Sequence, residues 1–179
     1  VILGEASFLP RMLETVRGLE AAGSDFIALP CNTAHYYFDD LQRAVDIEIA
    51  NMIDDIRDHV LALEPAVGAV GLLSAEVPRN AGLYRRSFAG TGAEVIHVDD
   101  AGQRLVNRVI DEVKTGTNDE RSARALAEIV ADLEGRGAQA VVLGCTELPR
   151  ALSQDRTPVP LIDGNRVYAS SVLARARSD

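Results

Sequence analysis

Short apolar runs alternate with longer segments of helical periodicity along the chain. The runs are rich in Val, Leu, Ile and Ala, which is typical of parallel strands buried on both faces. The alternation predicts an α/β fold with parallel sheets flanked by helices. The expected strands cover residues 26–29, 67–73, 94–98, 140–143 and 159–162. The expected helices cover residues 9–22, 33–44, 51–63, 101–114, 119–134, 147–152 and 166–177, with one more ending near Phe88.

One sequence pattern occurs twice. Each copy has Leu-Glu at a helix end, a glycine that caps the helix, a short apolar strand and a cysteine just after the strand. The cysteine is Cys31 in the first copy and Cys145 in the second, and the shared residues stand at one constant offset. Ligands bind at the carboxyl ends of parallel strands. The repeat therefore predicts two pseudo-symmetric domains whose thiols face each other across a cleft.

A helix stop at Glu64-Pro65 marks the expected domain boundary. We expect a first α/β domain over residues 1–64 and a second over residues 65–162. The chain opens with Val1 rather than Met, in a loop that leads into a helix already under way. The first domain is therefore expected to lack its amino-terminal part.

Composition and charge narrow the class of protein. The chain is 47% hydrophobic and 25% charged, which is ordinary for a globular protein with a packed core. Its net charge of −9 argues against nucleic acid and anionic membrane surfaces as partners, but leaves a small anionic substrate open. No apolar run approaches the roughly 20 residues of a membrane span. Two cysteines and no visible secretory signal predict reduced thiols in the cytoplasm.

Two facing thiols suit a reaction that needs an acid and a base on opposite sides of one carbon. A thiol has a reference pKa of about 8.5, which is close enough to neutrality for either role. Both cysteines are predicted just before a helix amino-terminus, which stabilises a thiolate and lowers the thiol pKa. The alternatives are two buried apolar cysteines or a disulfide within a narrow distance window. No metal site is expected, because two cysteines and few histidines do not supply enough ligands.

The segments around the cysteines carry a family resemblance. Residues 30–35 are Pro-Cys-Asn-Thr-Ala-His and residues 144–149 are Gly-Cys-Thr-Glu-Leu-Pro. They resemble the paired cysteine motifs of the aspartate/glutamate racemase family, and the first is most similar to its aspartate racemase branch. Residues 67–73 and 159–163 resemble the opening and closing strands of that family's second domain. The resemblance implies that residues 163–179 pack back on the first domain, and it implies a homodimer.

The same resemblance implies a function, which is racemisation of an amino acid by a PLP-independent isomerase that needs no cofactor. Cys31 and Cys145 would be the acid and base pair. Asn32, Thr33 and Thr146 would bind a substrate carboxylate, and Ser74 would add a hydroxyl from the loop after the strand 67–73.

Two further residues beside the cysteines could assist the reaction. His35 lies one helical turn beyond Cys31, where it could tune the thiol or hold the pocket in shape; a capping or core histidine is the alternative. Glu147 could be an acid–base partner of Cys145 or an anchor for a substrate ammonium group. Its alternative is an acidic residue favoured by a helix dipole.

Departures from the family pattern leave the substrate open. Residues 74–78 are Ser-Ala-Glu-Val-Pro, where the family carries a loop like Thr-x-Gly-Thr, and Gly164 follows Asp163 where the family often has Thr. Aspartate, glutamate or a related small acid is the expected substrate. Hydantoin racemisation and cis–trans isomerisation of a small dicarboxylate remain alternatives on the same scaffold, and decarboxylation is a weaker one. A non-catalytic small-acid binding protein is the alternative from another class.

Overall fold

Strands and helices alternate throughout residues 8–177, the part of the chain that the computed structural model describes. Every strand pair in this range is parallel. This confirms the predicted α/β fold with parallel sheets flanked by helices. The strands are β1 (Phe26–Ala28), β2 (Glu48–Ala50), β3 (Ala69–Ser74), β4 (Glu94–His97), β5 (Ala140–Gly144) and β6 (Leu161–Asp163). The α-helices are α1 (Leu9–Ala21), α2 (Phe38–Gln42), α3 (Met52–Leu61), α4 (Glu76–Asn80), α5 (Leu83–Ser87), α6 (Asp100–Thr115), α7 (Glu120–Gly135) and α8 (Gly164–Arg175).

The strands form two sheets. β1 and β2 make a two-stranded sheet in which Ile27 pairs with Ile49. The other four strands form a sheet in the order β4-β3-β5-β6. β5 therefore lies in the interior of its sheet, and its carboxyl end meets that of β3 where Ser74 pairs with Gly144. The first seven and last two residues, which belong to the expected first domain and closing segment, lie outside the described residues.

Two hydrophobic cores cover the opposite faces of the four-stranded sheet. One core holds the apolar faces of α6 and α7, including Val106 and Leu126. The other holds α3, α5 and α8, including Ile56, Tyr84 and Tyr168. α3 therefore shares its core with the four-stranded sheet, although it precedes the Glu64-Pro65 boundary. A separate small core lies between the two-stranded sheet, α1 and α2.

α8 ties the two-stranded sheet to the rest of the molecule. The buried Tyr168 hydroxyl accepts a hydrogen bond from the Leu29 amide at 2.7 Å and donates one to the Ala50 carbonyl at 3.0 Å. Arg175 pairs with Asp55 at 2.9 Å and with Glu48 at 3.0 Å. α8 thus contacts β2 at Glu48 and Ala50, and it contacts the segment just after β1 at Leu29.

The predicted helix over residues 33–44 is two helices. A 3-10 helix (Thr33–Tyr37) follows Cys31 directly, and α2 begins at Phe38. The Cys31 carbonyl accepts from the Ala34 amide at 3.1 Å and from the His35 ring at 2.9 Å. An α-helix would use the same carbonyl for the amide four residues on, so the His35 side chain favours the tighter 3-10 turn. The predicted helix at 147–152 is likewise a 3-10 helix (Leu148–Arg150).

None of the helices in the described part of the chain is both long and apolar enough to cross a membrane.

Candidate active site

Each cysteine lies just beyond the carboxyl end of a strand. Cys145 follows β5 directly, and Cys31 lies three residues after β1 ends at Ala28. Cys31 is exposed and Cys145 is half-buried, and both are free thiols. Cys31 is therefore open to solvent, whereas Cys145 packs partly against other residues.

A buried tyrosine hydroxyl lies between the two cysteine motifs. Asn32, next to Cys31, is only 4% exposed, and its Oδ1 accepts from the Tyr84 hydroxyl at 2.5 Å. The same hydroxyl reaches the second motif, because a Cβ placed on Gly144 would lie 3.1 Å from it. Tyr84 therefore lies between the residue after one cysteine and the residue before the other.

Glu147 is the immediate partner of Cys145. The Cys145 thiol donates to Glu147 Oε2 at 2.9 Å, and the Thr146 hydroxyl donates to the same oxygen at 2.8 Å. Burial of the Glu147 carboxylate raises its pKa, but hydrogen bonds from Cys145, Thr146 and its own backbone, together with the charge of Lys114, hold the pKa below its ordinary value. The carboxylate is therefore charged at neutral pH and accepts hydrogen bonds from both neighbouring side chains.

The pKa of Cys145 is raised, to about 12, first by burial and then by the hydrogen bond and the negative charge of Glu147. The expected lowering of the thiol pKa by a helix amino-terminus is therefore wrong for this residue. The helix that follows Cys145 has only three residues, starting at Leu148, so it has little dipole to offer. Cys145 is a protonated thiol at neutral pH in this arrangement.

His35 is buried and both of its ring nitrogens are hydrogen-bonded. Nδ1 donates to the Cys31 carbonyl at 2.9 Å, and Nε2 accepts from the Met52 amide at 2.9 Å. Burial lowers the pKa of His35, partly offset by the bond to Cys31, so the ring is neutral. The ring also stacks on Phe38. This geometry joins the Cys31 segment to the first turn of α3, which favours a role in holding the pocket in shape.

The expected hydroxyl ligands lie on both motifs and on β3. Thr33 opens the 3-10 helix after Cys31, and Thr146 is exposed beside Cys145. Ser74 is buried at the end of β3, in register with Gly144, and its hydroxyl donates to the Ala75 carbonyl at 3.1 Å. The structure therefore brings Ser74, Thr146 and Cys145 to one edge of the four-stranded sheet.

Sequence reasoning missed several residues at this edge. Tyr84 comes from a short helix far along the chain from either cysteine. Gln103 is buried on α6 and donates to the Ser74 carbonyl at 2.8 Å. The positive charge of Lys114 acts to lower the pKa of both Cys145 and Glu147, although it is the smallest of the contributions at each residue. No local motif marks these residues, because only the tertiary packing brings them to the thiols.

The described residues contain no group of three or more His, Cys, Asp and Glu side chains that could hold a metal ion.

Comparison with known proteins supports the resemblance. The model of a family described as Asp/Glu/Hydantoin racemase matches residues 4–172. The broad specificity amino-acid racemase RacX of Bacillus subtilis (strain 168) is 31% identical over 156 residues, which are 87% of this chain and 66% of RacX. An aspartate racemase homologue from Pyrococcus horikoshii OT3 is 29% identical, with a TM-score of 0.78 over 97% of this chain and 77% of that chain.

A second solved structure shares the fold. The aspartate racemase of Picrophilus torridus superposes with a TM-score of 0.81 at 24% identity, covering 98% of this chain and 72% of that chain. RacX and the Picrophilus protein are racemases, which are isomerases. The family match, which covers nearly all of this sequence, shows that the chain belongs to the Asp/Glu/Hydantoin racemase family.

Proposed function

We propose that this protein racemises an amino acid or a related small acid at Cα without a cofactor, with Cys31 and Cys145 as its two acid–base groups. The buried contact of Tyr84 with Asn32 and with Gly144 is the observation that carries the proposal. It joins the residues beside the two cysteines, which come from different sheets. Two thiols on opposite sides of one small ligand are what a two-sided proton transfer requires.

The proposed reaction removes one proton from one face of Cα and adds one proton to the opposite face. The Cys31 thiolate removes the Cα proton from one face, and the electron pair left on Cα delocalises into the adjacent carbonyl group. The Cys145 thiol then delivers its proton to the opposite face, so the products are the other enantiomer, a Cys31 thiol and a Cys145 thiolate. The opposite reaction direction reverses both roles.

Glu147 supports the acid role of Cys145. Its charged carboxylate accepts a hydrogen bond from the thiol at 2.9 Å, which holds the protonated thiol in place for delivery of its proton to the substrate. The exposed Cys31 has water as its route for protons. The protonated state of Cys145 assigns it the acid role in the first half of the cycle.

The substrate carboxylate is proposed to bind Asn32, Thr33, Thr146 and the Ser74 hydroxyl. Aspartate, glutamate or a related small acid is the proposed substrate class. Racemisation of a hydantoin is the second candidate, because the family description includes it and residues 74–78 depart from the family pattern. These residues are not the expected loop, because β3 ends at Ser74 and α4 begins at Glu76. RacX is a broad specificity enzyme, which also favours testing neutral amino acids.

The test is racemisation of a substrate panel by the intact protein and by its Cys31→Ser and Cys145→Ser variants. The panel contains both enantiomers of aspartate, glutamate and their neutral relatives, together with a substituted hydantoin, followed by chiral chromatography. We expect turnover of at least one substrate and a loss on the order of 100-fold or more in both variants, since acid–base groups contribute that much. Undiminished racemisation in either folded variant would overturn the proposal.

A further inference from the structure

We propose that Tyr84 is a positioning residue that orients the Asn32 amide, with its NH₂ group turned toward the cleft between the thiols to meet a substrate carboxylate. This inference rests on the proposed function for the identity of the ligand. It adds to that function a residue outside both cysteine motifs and a specific orientation of the amide.

Asn32 is an incompletely satisfied buried amide. Its side chain is 4% exposed, and its Oδ1 is occupied by the Tyr84 hydroxyl at 2.5 Å. Its Nδ2 is buried and has no hydrogen-bond partner among the described residues. A buried donor without a partner is costly and is rare in native structures unless a ligand or water satisfies it. The unsatisfied donor lies one residue from Cys31, so a ligand at the thiols is its natural acceptor.

Tyr84 dictates which end of the amide is left free. Burial raises the pKa of the Tyr84 phenol far above its ordinary value, and a Cys145 thiolate acts in the same direction when it forms. The phenol therefore keeps its proton and donates it. A donated proton selects the amide oxygen, and the planar amide then turns Nδ2 away from Tyr84. A carboxylate oxygen, which only accepts hydrogen bonds when ionised, is the matching ligand group.

The position of Tyr84 is fixed from the other side by Gly144. A Cβ at position 144 would lie 3.1 Å from the Tyr84 hydroxyl and 3.3 Å from the Leu73 carbonyl. The missing side chain thus leaves room for the phenol against β5. Tyr84 itself is 1% exposed, in the core that it shares with α3 and α8. Its side chain therefore has little freedom to adopt another orientation.

A double-mutant cycle tests whether Tyr84 acts through Asn32. Tyr84→Phe keeps the ring and removes the hydroxyl, so we expect kcat/KM to fall about 10-fold, the size of one hydrogen-bond contribution. In an Asn32→Ala background the same change should alter kcat/KM by less than about 2-fold, because coupled residues are not additive. Equal losses in both backgrounds would assign Tyr84 a merely structural role and overturn the inference.

Tyr168→Phe is the matched control, because Tyr168 is also a buried tyrosine whose hydroxyl bridges two parts of the chain. It shares no hydrogen-bond partner with Asn32. Its effect on kcat/KM should therefore be the same with and without Asn32→Ala.

NMR of the Asn32 side-chain amide provides a readout that does not need activity. In the ¹⁵N-labelled protein this signal is identified by its absence in Asn32→Asp, and the probes are succinate and both enantiomers of aspartate and glutamate. We expect a probe to shift the Nδ2 protons, and Tyr84→Phe to weaken its binding. Nδ2 protons that respond to Tyr84→Phe but to no probe would show that Nδ2 donates to the phenol, which overturns the inference. Probe binding without racemisation would instead defeat the proposed function alone.

Discussion

The thiol of Cys145 and the carboxylate of Glu147 form a hydrogen-bonded pair. The thiol donates to a charged carboxylate that is held beside it by a second donor, Thr146. Cys31 has no such neighbour in the described residues. Two cysteines with the same sequence pattern therefore have different side-chain surroundings.

Replacing Glu147 by Gln should lower the pKa of the Cys145 thiol. The wild-type pKa is raised to about 12, with burial as the largest cause and Glu147 as the next. Removing the charge removes the second cause and leaves the first, so the variant pKa should fall but stay above the ordinary thiol value. The rate of Cys145 alkylation by iodoacetamide against pH, resolved from Cys31 by peptide mass spectrometry, measures it.

The same variant should also slow racemisation by roughly 10-fold or more, because the thiol loses the charged carboxylate that holds it in place for proton transfer. Thr146→Val is the control that removes a donor to Glu147 without removing the charge. An alkylation profile that Glu147→Gln leaves unchanged would contradict the account of this pair.

At the scale of elements, the sequence pattern was sufficient for most of the fold. The apolar runs predicted five of the six strands in the described range, and their alternation with helices predicted parallel pairing. β2 is absent from the predicted strands, because three residues are too few for a periodicity to be recognised. The helix after Cys31 was predicted in one piece, since no local pattern reveals that the His35 ring bonds to the Cys31 carbonyl.

β5 requires a glycine at its carboxyl end. A Cβ on Gly144 would meet Leu72 Cδ1 at 3.0 Å and the Tyr84 hydroxyl at 3.1 Å. Gly144→Ala should therefore lower the free energy of unfolding by about 1–3 kcal/mol, the usual cost of overpacking, and displace Tyr84 from Asn32. Urea denaturation measures the first effect and kcat/KM the second.

Gly135 is the matched control for this substitution. It ends α7, and a Cβ there would meet nothing within 4 Å. Gly135→Ala should raise the free energy of unfolding by up to about 1 kcal/mol and leave kcat/KM unchanged. Equal stability of the two variants would show that the space at Gly144 is not restricted.

At the scale of the whole molecule, α8 holds the two-stranded sheet beside the four-stranded one. Tyr168 satisfies the Leu29 amide and the Ala50 carbonyl with one hydroxyl. Since Leu29 lies two residues before Cys31, the hydroxyl also supports the segment that carries the first thiol. The final helix thus contributes to the placement of a residue far from it in sequence.

Tyr168→Phe should lower the free energy of unfolding by about 1–3 kcal/mol, because it leaves a buried amide and carbonyl without a partner. Urea denaturation of the variant beside the wild type is the measurement. Arg177→Ala, at an exposed position beyond α8, is the control and should leave stability within about 0.5 kcal/mol. A stability of Tyr168→Phe equal to wild type would show that α8 does not anchor the first sheet through this residue.

The candidate site was predicted from the sequence chiefly where it follows the repeat. Cys31, Cys145 and their neighbours stand in two copies of one pattern, which makes them candidates on sequence alone. Tyr84 and Gln103 reach the site from other elements, and nothing in their local sequence distinguishes them from core residues. The raised pKa of Cys145 could not be predicted from the sequence either, because it depends on burial and on the rotamer of Glu147.

The most direct test of the central claim is the fate of deuterium during racemisation in D₂O. One pure enantiomer of a turned-over substrate is incubated briefly, and Cα deuterium is measured in the product and in the recovered substrate. Two thiols on opposite faces predict deuterium in the product enantiomer and protium in the recovered substrate, with the reaction lost in Cys31→Ser and in Cys145→Ser. Product that retains the substrate's own protium, or turnover that survives either substitution, would contradict the two-thiol account.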